Sequence, residues 1–277
     1  MRVDAHVHFW GLRELAAYEW MTDDMDAIRR PFTPDDLRPL LAAHGFAGAV
    51  VVQTYSSVDE TRAFLDLAER TDLLLGVVGW VDLTSPDVAE TIAELRDRHL
   101  VGIRHQVHDE ADPDWLLRDD VRRGLRALQE AGLTYDVLVR TRELPAALDA
   151  ARRFPDLPMV IDHLAKPPIA SRALEPWAER MAPFAALEHV CCKLSGLVTE
   201  ADWSSRTTAD LVPYVQHVAE WFGEERLLYG SDWPVCTVAA SYDEVVRACE
   251  DALGDLGRSA RERIFGMNAT SFYGLDG

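Results

Sequence analysis

Met1-Arg2-Val3-Asp4-Ala5-His6-Val7-His8-Phe9-Trp10 opens the chain, and Leu227-Leu228-Tyr229-Gly230-Ser231-Asp232-Trp233-Pro234 lies near its far end. His6 and His8 end a short apolar run. In a strand, residues i and i+2 share a face. Both imidazoles therefore project to one place, while Val3, Ala5 and Val7 take the other face. Asp4 falls on the histidine face, one step deeper, where it would orient them. Asp232 also ends an apolar run, and so does His163 in Met159-Val160-Ile161-Asp162-His163. A His-x-His pair alone arises by chance. Imidazoles and a carboxylate meeting at several strand tips make a metal or acid–base site rather than a packing motif.

Working outward, apolar segments of strand length recur at about 2–8, 46–53, 73–81, 100–105, 133–138, 158–163, 189–195 and 226–232. Each is followed by a helical pattern. The first helix has Thr33 as cap, Pro34 in the first turn and acids at 35 and 36, and it ends before Gly45. Ser57 with Glu60 predicts a capping box for the second. Ser85-Pro86-Asp87 and Asp119-Asp120 start the next two, and others follow at about 143–153, 174–186, 207–222 and 241–253. A last segment at about 258–273 reads as an extra terminal helix. Alternating strands and helices imply parallel strands joined by crossovers, and eight of each predict a closed (β/α)8 TIM barrel. At 277 residues that barrel would form one domain. A doubly wound open sheet would show a glycine-rich phosphate turn after the first strand, and Phe9-Trp10 stands there instead.

Composition narrows the partners. A formal charge of −19 argues against nucleic acid or an anionic membrane, leaving a small-molecule substrate. No apolar run approaches the ~20 residues that span a bilayer, and no signal-peptide pattern opens the chain, so the reading is cytoplasmic. Cys191, Cys192, Cys236 and Cys249 lack metal or disulfide spacing and are expected to be reduced. Nearly all positive charge is arginine. The only lysines, Lys166 and Lys193, both fall near strand ends, which favours a site role for at least one.

In such barrels the active site forms at the C-terminal strand ends. That rule selects His6, His8, Gln53, Asp82, Arg104, His105, His163, Lys193 and Asp232. Regular alternation turns His105 away from Arg104, toward packing. The first strand-to-helix connection, about residues 9–32, is long and carries Phe9, Trp10, Tyr18, Trp20 and Phe32, as a lid would.

His6-Val7-His8, His163 and Gly230-Ser231-Asp232-Trp233-Pro234 together resemble the amidohydrolase superfamily. Within it, the chain is most similar to the sugar-lactonase and pyrone-dicarboxylate-lactonase branch. Val51-Val52-Gln53, Gly102-Ile103-Arg104-His105, Asp162-His163-Leu164-Ala165-Lys166-Pro167, Lys193-Leu194-Ser195-Gly196 and Phe265-Gly266-Met267-Asn268-Ala269 carry the resemblance along the whole chain. Binuclear members have a bridging Lys or Glu on strand four and a His on strand five. Here strand four offers Arg104 and His105, and strand five, Leu133-Thr134-Tyr135-Asp136-Val137-Leu138, has no histidine. The resemblance therefore implies at most one divalent ion, held by some of His6, His8, His163 and Asp232. Zinc suits those ligands, and the branch includes members that work without metal.

Lactone hydrolysis needs a water, a base and hydrogen-bonding or positive character at the carbonyl oxygen. Asp232 is the expected base. His163 and the His6/His8 pair would ligate a metal or donate to the carbonyl. Arg104, a fixed cation, would suit a carboxylate or several hydroxyls, Lys193 would orient the developing anion, and Gln53, Trp80, Trp233 and Trp10 would form the sugar platform. The alternatives are a metal-dependent non-oxidative decarboxylase of the same superfamily and a pyrone-dicarboxylate lactonase. The latter would need several cations, for which Arg104, Arg140 and Lys193 are the candidates.

Overall fold

A computed structural model of the protein describes residues 1–11, 14–18 and 20–275. Eight strands, β1 (Arg2–Val7), β2 (Phe46–Val52), β3 (Leu74–Gly79), β4 (Leu100–Gln106), β5 (Thr134–Leu138), β6 (Met159–Ile161), β7 (Val190–Leu194) and β8 (Leu227–Tyr229), lie parallel in chain order. The ends of this sheet meet at their tips. Val7 bridges Trp233, His8 N–H donates to the Trp233 carbonyl at 2.7 Å, and Asp232 N–H donates to the His6 carbonyl at 2.9 Å. The result is a nearly closed barrel with helices between successive strands, the (β/α)8 architecture expected from the strand–helix rhythm. The contacts that close it are made by the residues of the site.

Apolar side chains fill two zones. Val3, Ala5, Val50, Val52, Val78, Val160 and Leu228 pack together inside the barrel, with Tyr273 of the last helix, Asn268–Tyr273, beneath them. A larger layer, which includes Val7, lies between strands and helices. Burial on this scale is the main stabilising term.

β1 departs from regular alternation. Its pairing runs from Asp4↔Ala49 to Val7↔Val51, three residues against two, so β1 carries one extra residue. Such a bulge switches the phase of the side chains. Val3 and Ala5 point inward, but Val7 packs outward. Asp4 therefore does not share the histidine face. Its carboxylate accepts from Ser231 N–H at 2.8 Å and from the Tyr242 hydroxyl at 2.9 Å, tying β1 to the tip of β8 and to the helix Tyr242–Ala252.

The helix starts mostly follow their caps. Asp36 accepts from the Thr33 N–H and hydroxyl at 2.9 and 2.7 Å. Glu60 N–H donates to Ser57 Oγ at 3.2 Å, but the predicted capping box stays half-formed. The Glu60 carboxylate turns instead to Thr54, accepting from its N–H at 2.8 Å and from its hydroxyl. The Tyr18 hydroxyl joins Thr54 at 2.7 Å, which fastens the first connection to the end of β2. Burial pushes the Glu60 carboxyl up to about 7. The helix expected at 174–186 is a short helix, Trp177–Met181, followed by a tighter 3-10 turn over Ala182–Ala186, where Pro183 cannot continue the ladder. The terminal segment is likewise divided by a wide turn at Arg263–Met267, where Gly266 lies so close to the Met1 carbonyl that a side chain could not fit. Among the described residues, no helix is long and apolar enough to cross a membrane.

Candidate active site

One residue past the end of β6, after Asp162, come four consecutive left-handed residues, His163, Leu164, Ala165 and Lys166, with φ between 51° and 58°. Each costs about 1–2 kcal/mol relative to a right-handed turn, and strain of this kind collects at functional sites. The turn carries both His163 and Lys166 to one cavity. Gly196 after β7 makes room for it: a Cβ there would stand 2.5 Å from His163 Nδ1. Asp232, at φ 59°, is a further strained residue at the tip of β8.

Three side chains converge above the apolar interior. His6 Nε2 lies 3.2 Å from His8 Nε2, His8 Nε2 lies 3.3 Å from Asp232 Oδ1, and His6 Nε2 lies 3.8 Å from the same oxygen. His163 Nε2 is 4.0 Å from Asp232 Oδ1, and its Nδ1 pairs with Ser195 Oγ at 2.8 Å. The tautomers follow from neighbours that can act only one way. His8 Nδ1 faces the Val52 carbonyl at 2.8 Å, so its proton is there and Nε2 holds a lone pair. His6 has a donor on each side, Arg104 Nη1 at 3.1 Å from Nε2 and Lys193 Nζ at 3.2 Å from Nδ1; Asp162 Oδ1, an acceptor 3.4 Å from Nδ1, draws the proton to Nδ1 and leaves the lone pair on Nε2. Burial holds the His6 and His163 imidazoles well below their ordinary pKa. Burial works against charge on Asp232, but the carboxyl still lies below its usual range, with His163 the largest opposing influence.

Two imidazole lone pairs and a carboxylate oxygen thus face one point. Tetrahedral zinc with bonds of about 2.0–2.1 Å needs ligand atoms about 3.3 Å apart. The spacings 3.2, 3.3 and 3.8 Å fit that donor set. Arg104 competes for the His6 lone pair.

Below this trio lies a layer of buried charge. Lys193, fully buried, pairs with Asp136 and with Asp162 at 3.0 Å, and its Nζ sits 3.2 Å from His6 Nδ1. Asp162 also accepts from Arg104 Nη1 at 3.1 Å. Burial opposes ionisation of Asp162, yet Lys193, His6 and Arg104 together hold its carboxyl well below the usual range. Burial raises Asp136 to about 6, despite Lys193. Tyr273 closes the layer from beneath, donating to Asp136 at 2.8 Å.

A cavity of about 310 Å³ opens over the trio, within the range of small-molecule sites. His8, His163, Asp232 and Arg104 reach its wall. Lys193 does not; it supports His6 from below, and Lys166 is the lysine that faces the cavity. Gln53 is placed behind Arg104, accepting from its Nε and Nη2 at 3.2 and 3.0 Å. The expected tryptophans lie away from the cavity. Trp10 donates to the Ile28 and Arg30 carbonyls, Trp233 packs on Phe9 and Phe32, and Trp80 donates to His105 at 3.0 Å. His105 stacks on Trp115, the packing role expected of it, and Asp82 caps Thr84 in an exposed turn. The aromatic walls come from Trp20 and Trp203 instead. Trp20 and Met25 show that the first connection does border the cavity, although Leu12, Arg13 and Glu19 of that stretch lie outside the described residues. Sequence reading missed Thr199, Glu200 and Trp203, which follow β7 and carry no local signal of a site. Asp136 and Asp162 had one, a carboxylate in an otherwise apolar strand.

Fold and site together define a barrel enzyme with a strand-end histidine–aspartate centre able to hold one divalent cation. The amidohydrolase family model matches residues 3–275, and the chain belongs to that family. It is 45% identical to an L-fucono-1,5-lactonase of Burkholderia ambifaria, over 99% of this chain and 96% of that one. It is 40% identical to an L-fucono-1,5-lactonase of Burkholderia multivorans, with the same coverage. A crystal structure of a Burkholderia multivorans amidohydrolase with bound zinc superposes with a TM-score of 0.94 at 40% identity, covering all of both chains.

Proposed function

We propose that this protein hydrolyses a sugar lactone of the L-fucono-1,5-lactone type. The observation that carries the reading is Asp232, ionised and ringed by His6, His8 and His163 on the floor of a monosaccharide-sized cavity. The identity to two L-fucono-1,5-lactonases supports it. In this reading a water on the cavity floor gives its proton to Asp232 as its oxygen bonds the lactone carbonyl carbon. The ring C–O bond then breaks, and the proton passes to the departing ring oxygen, leaving a hydroxy acid. Arg104 lies on the wall beside the centre, where its fixed positive charge would favour the negative charge that develops on the carbonyl oxygen. Trp20 and Trp203 supply apolar faces for the sugar ring. His6, His8 and Asp232 would hold one zinc ion, which when bound lowers the pKa of water and polarises carbonyls. Four unbridged thiols fit a reducing compartment, so we assign the reaction to the cytoplasm.

The test is hydrolysis of L- and D-aldonolactones followed with a pH indicator, on protein as purified and after chelator treatment with zinc added back. Rapid acid release from an L-fuconolactone is expected, with activity lost to chelator and restored by zinc. Silence toward every sugar lactone, with carbon dioxide released from an aromatic carboxylate, would replace this reading with the decarboxylase one.

A further inference from the structure

The cavity wall contains a carboxylate that the hydrolytic chemistry does not use. Arg140 follows β5 and Lys166 ends the left-handed turn, and both bind Glu200. Lys166 Nζ donates to Glu200 Oε1 at 2.7 Å, and Arg140 Nη1 donates to Oε2 at 3.3 Å. All three side chains line the cavity. Arg104, also on the wall, is engaged by Asp162, and Lys193 is locked beneath the floor between Asp136 and Asp162. Among the described residues, each cation on or beneath this wall is therefore already paired with a carboxylate of the protein. His108 adds no charge to the wall, since burial and the nearby cations keep its imidazole neutral. Glu200 itself can only accept hydrogen bonds. It welcomes a hydroxyl and opposes a carboxylate.

We propose that Glu200 sets the substrate class: by engaging Lys166 and Arg140 it fits the cavity to an uncharged, hydroxyl-bearing lactone and excludes lactones that carry carboxylates. The inference rests on the lactonase reading and adds the residue that selects among lactones. Without Glu200, two cations from different loops would face one cavity, the arrangement a ring bearing carboxylates requires. A unit charge about 5 Å from a bound carboxylate, at an intermediate dielectric, changes affinity by about 10- to 100-fold.

Glu200→Gln tests this, because the amide keeps the shape but removes the charge, and its single oxygen can accept from only one of the two cations. Two readouts are compared with wild type: the ratio of kcat/KM for 2-pyrone-4,6-dicarboxylate to that for a neutral sugar 1,5-lactone, and the calorimetric Kd of pyridine-2,4-dicarboxylate, which cannot be hydrolysed. The ratio should rise, and the Kd fall, by at least about tenfold. Adding Lys166→Met should remove the gain. Glu200→Ser repeats the test if the glutamine variant does not fold. An unchanged ratio and Kd, or a parallel loss on both substrates, would overturn the proposal. Wild type inactive on every neutral lactone would instead refute the lactonase reading, and the calorimetric arm would still decide whether Glu200 repels carboxylates.

Discussion

Lys193→Met removes the ammonium at the centre of the buried charge layer while keeping the length of the side chain. Lys193 is wholly buried and pairs with two equally buried carboxylates, Asp136 and Asp162. Deleting one partner of a buried pair costs about 3–5 kcal/mol, because the other charge stays desolvated and uncompensated. At roughly 2 °C per kcal/mol for a chain of this size, the melting temperature should fall by about 6–10 °C. The deficit should also depend on pH. The Asp136 carboxyl already stands at about 6 against an ordinary 3.8, raised by burial and restrained by Lys193. A carboxyl raised in the folded state contributes stability that is full below its unfolded pKa and is lost as pH rises through the folded one. Without Lys193 the folded value rises further, so the loss extends to higher pH. Scanning calorimetry should therefore show a larger deficit near about pH 8 than near about pH 5, and Asp136→Asn in the same chain should restore part of it. A deficit under about 2 °C, or one equal at both pH values, would refute the account of this layer as a coupled ion cluster.

Asp232→Asn should lower kcat on the active lactone by at least about 10²-fold, the scale of general-base catalysis, with an unchanged circular dichroism spectrum; turnover close to wild type would remove Asp232 from the mechanism. Glu60, which holds Thr54 and through it Tyr18, has its carboxyl raised to about 7 by burial. Its contribution to stability is therefore lost as pH rises from about 4.5 through about 7, with a slope of ~1.4 kcal/mol per pH unit. In Glu60→Gln that part of the pH dependence should vanish, and melting curves of variant and wild type that fall in parallel over this range would contradict it.

The expectations that held were those set by period and position. Eight apolar segments separated by capped helical patterns admit few arrangements, and parallel order follows from the crossovers they demand. Strand ends in a barrel face one cavity, so His6, His8, His163 and Asp232 could be brought together on paper although 226 positions separate the first from the last. Individual side-chain directions were less legible. Asp4 was assigned to the histidine face by strict alternation, and one extra residue in β1 sent it outward to Tyr242. A bulge of one residue leaves no mark in an apolar pattern this short.

Burial was harder still to read. Lys193 and Lys166 both sit beside strand ends, yet one lies under the floor and the other on the wall. Strand β7 directs Lys193 inward, whereas four left-handed residues swing Lys166 over the rim. Trp10, Trp80 and Trp233 were plausible sugar platforms by sequence position, but their partners are other parts of the scaffold, and Trp20 and Trp203 border the cavity. Local sequence carries the barrel and its strand-end histidine–aspartate cluster because backbone periodicity and strand polarity act over a few residues. Which charges meet, as Glu200 meets Lys166 and Arg140 from three separate segments after strands β7, β6 and β5, depends on distances between segments far apart in the chain, and these exist only once the barrel has closed.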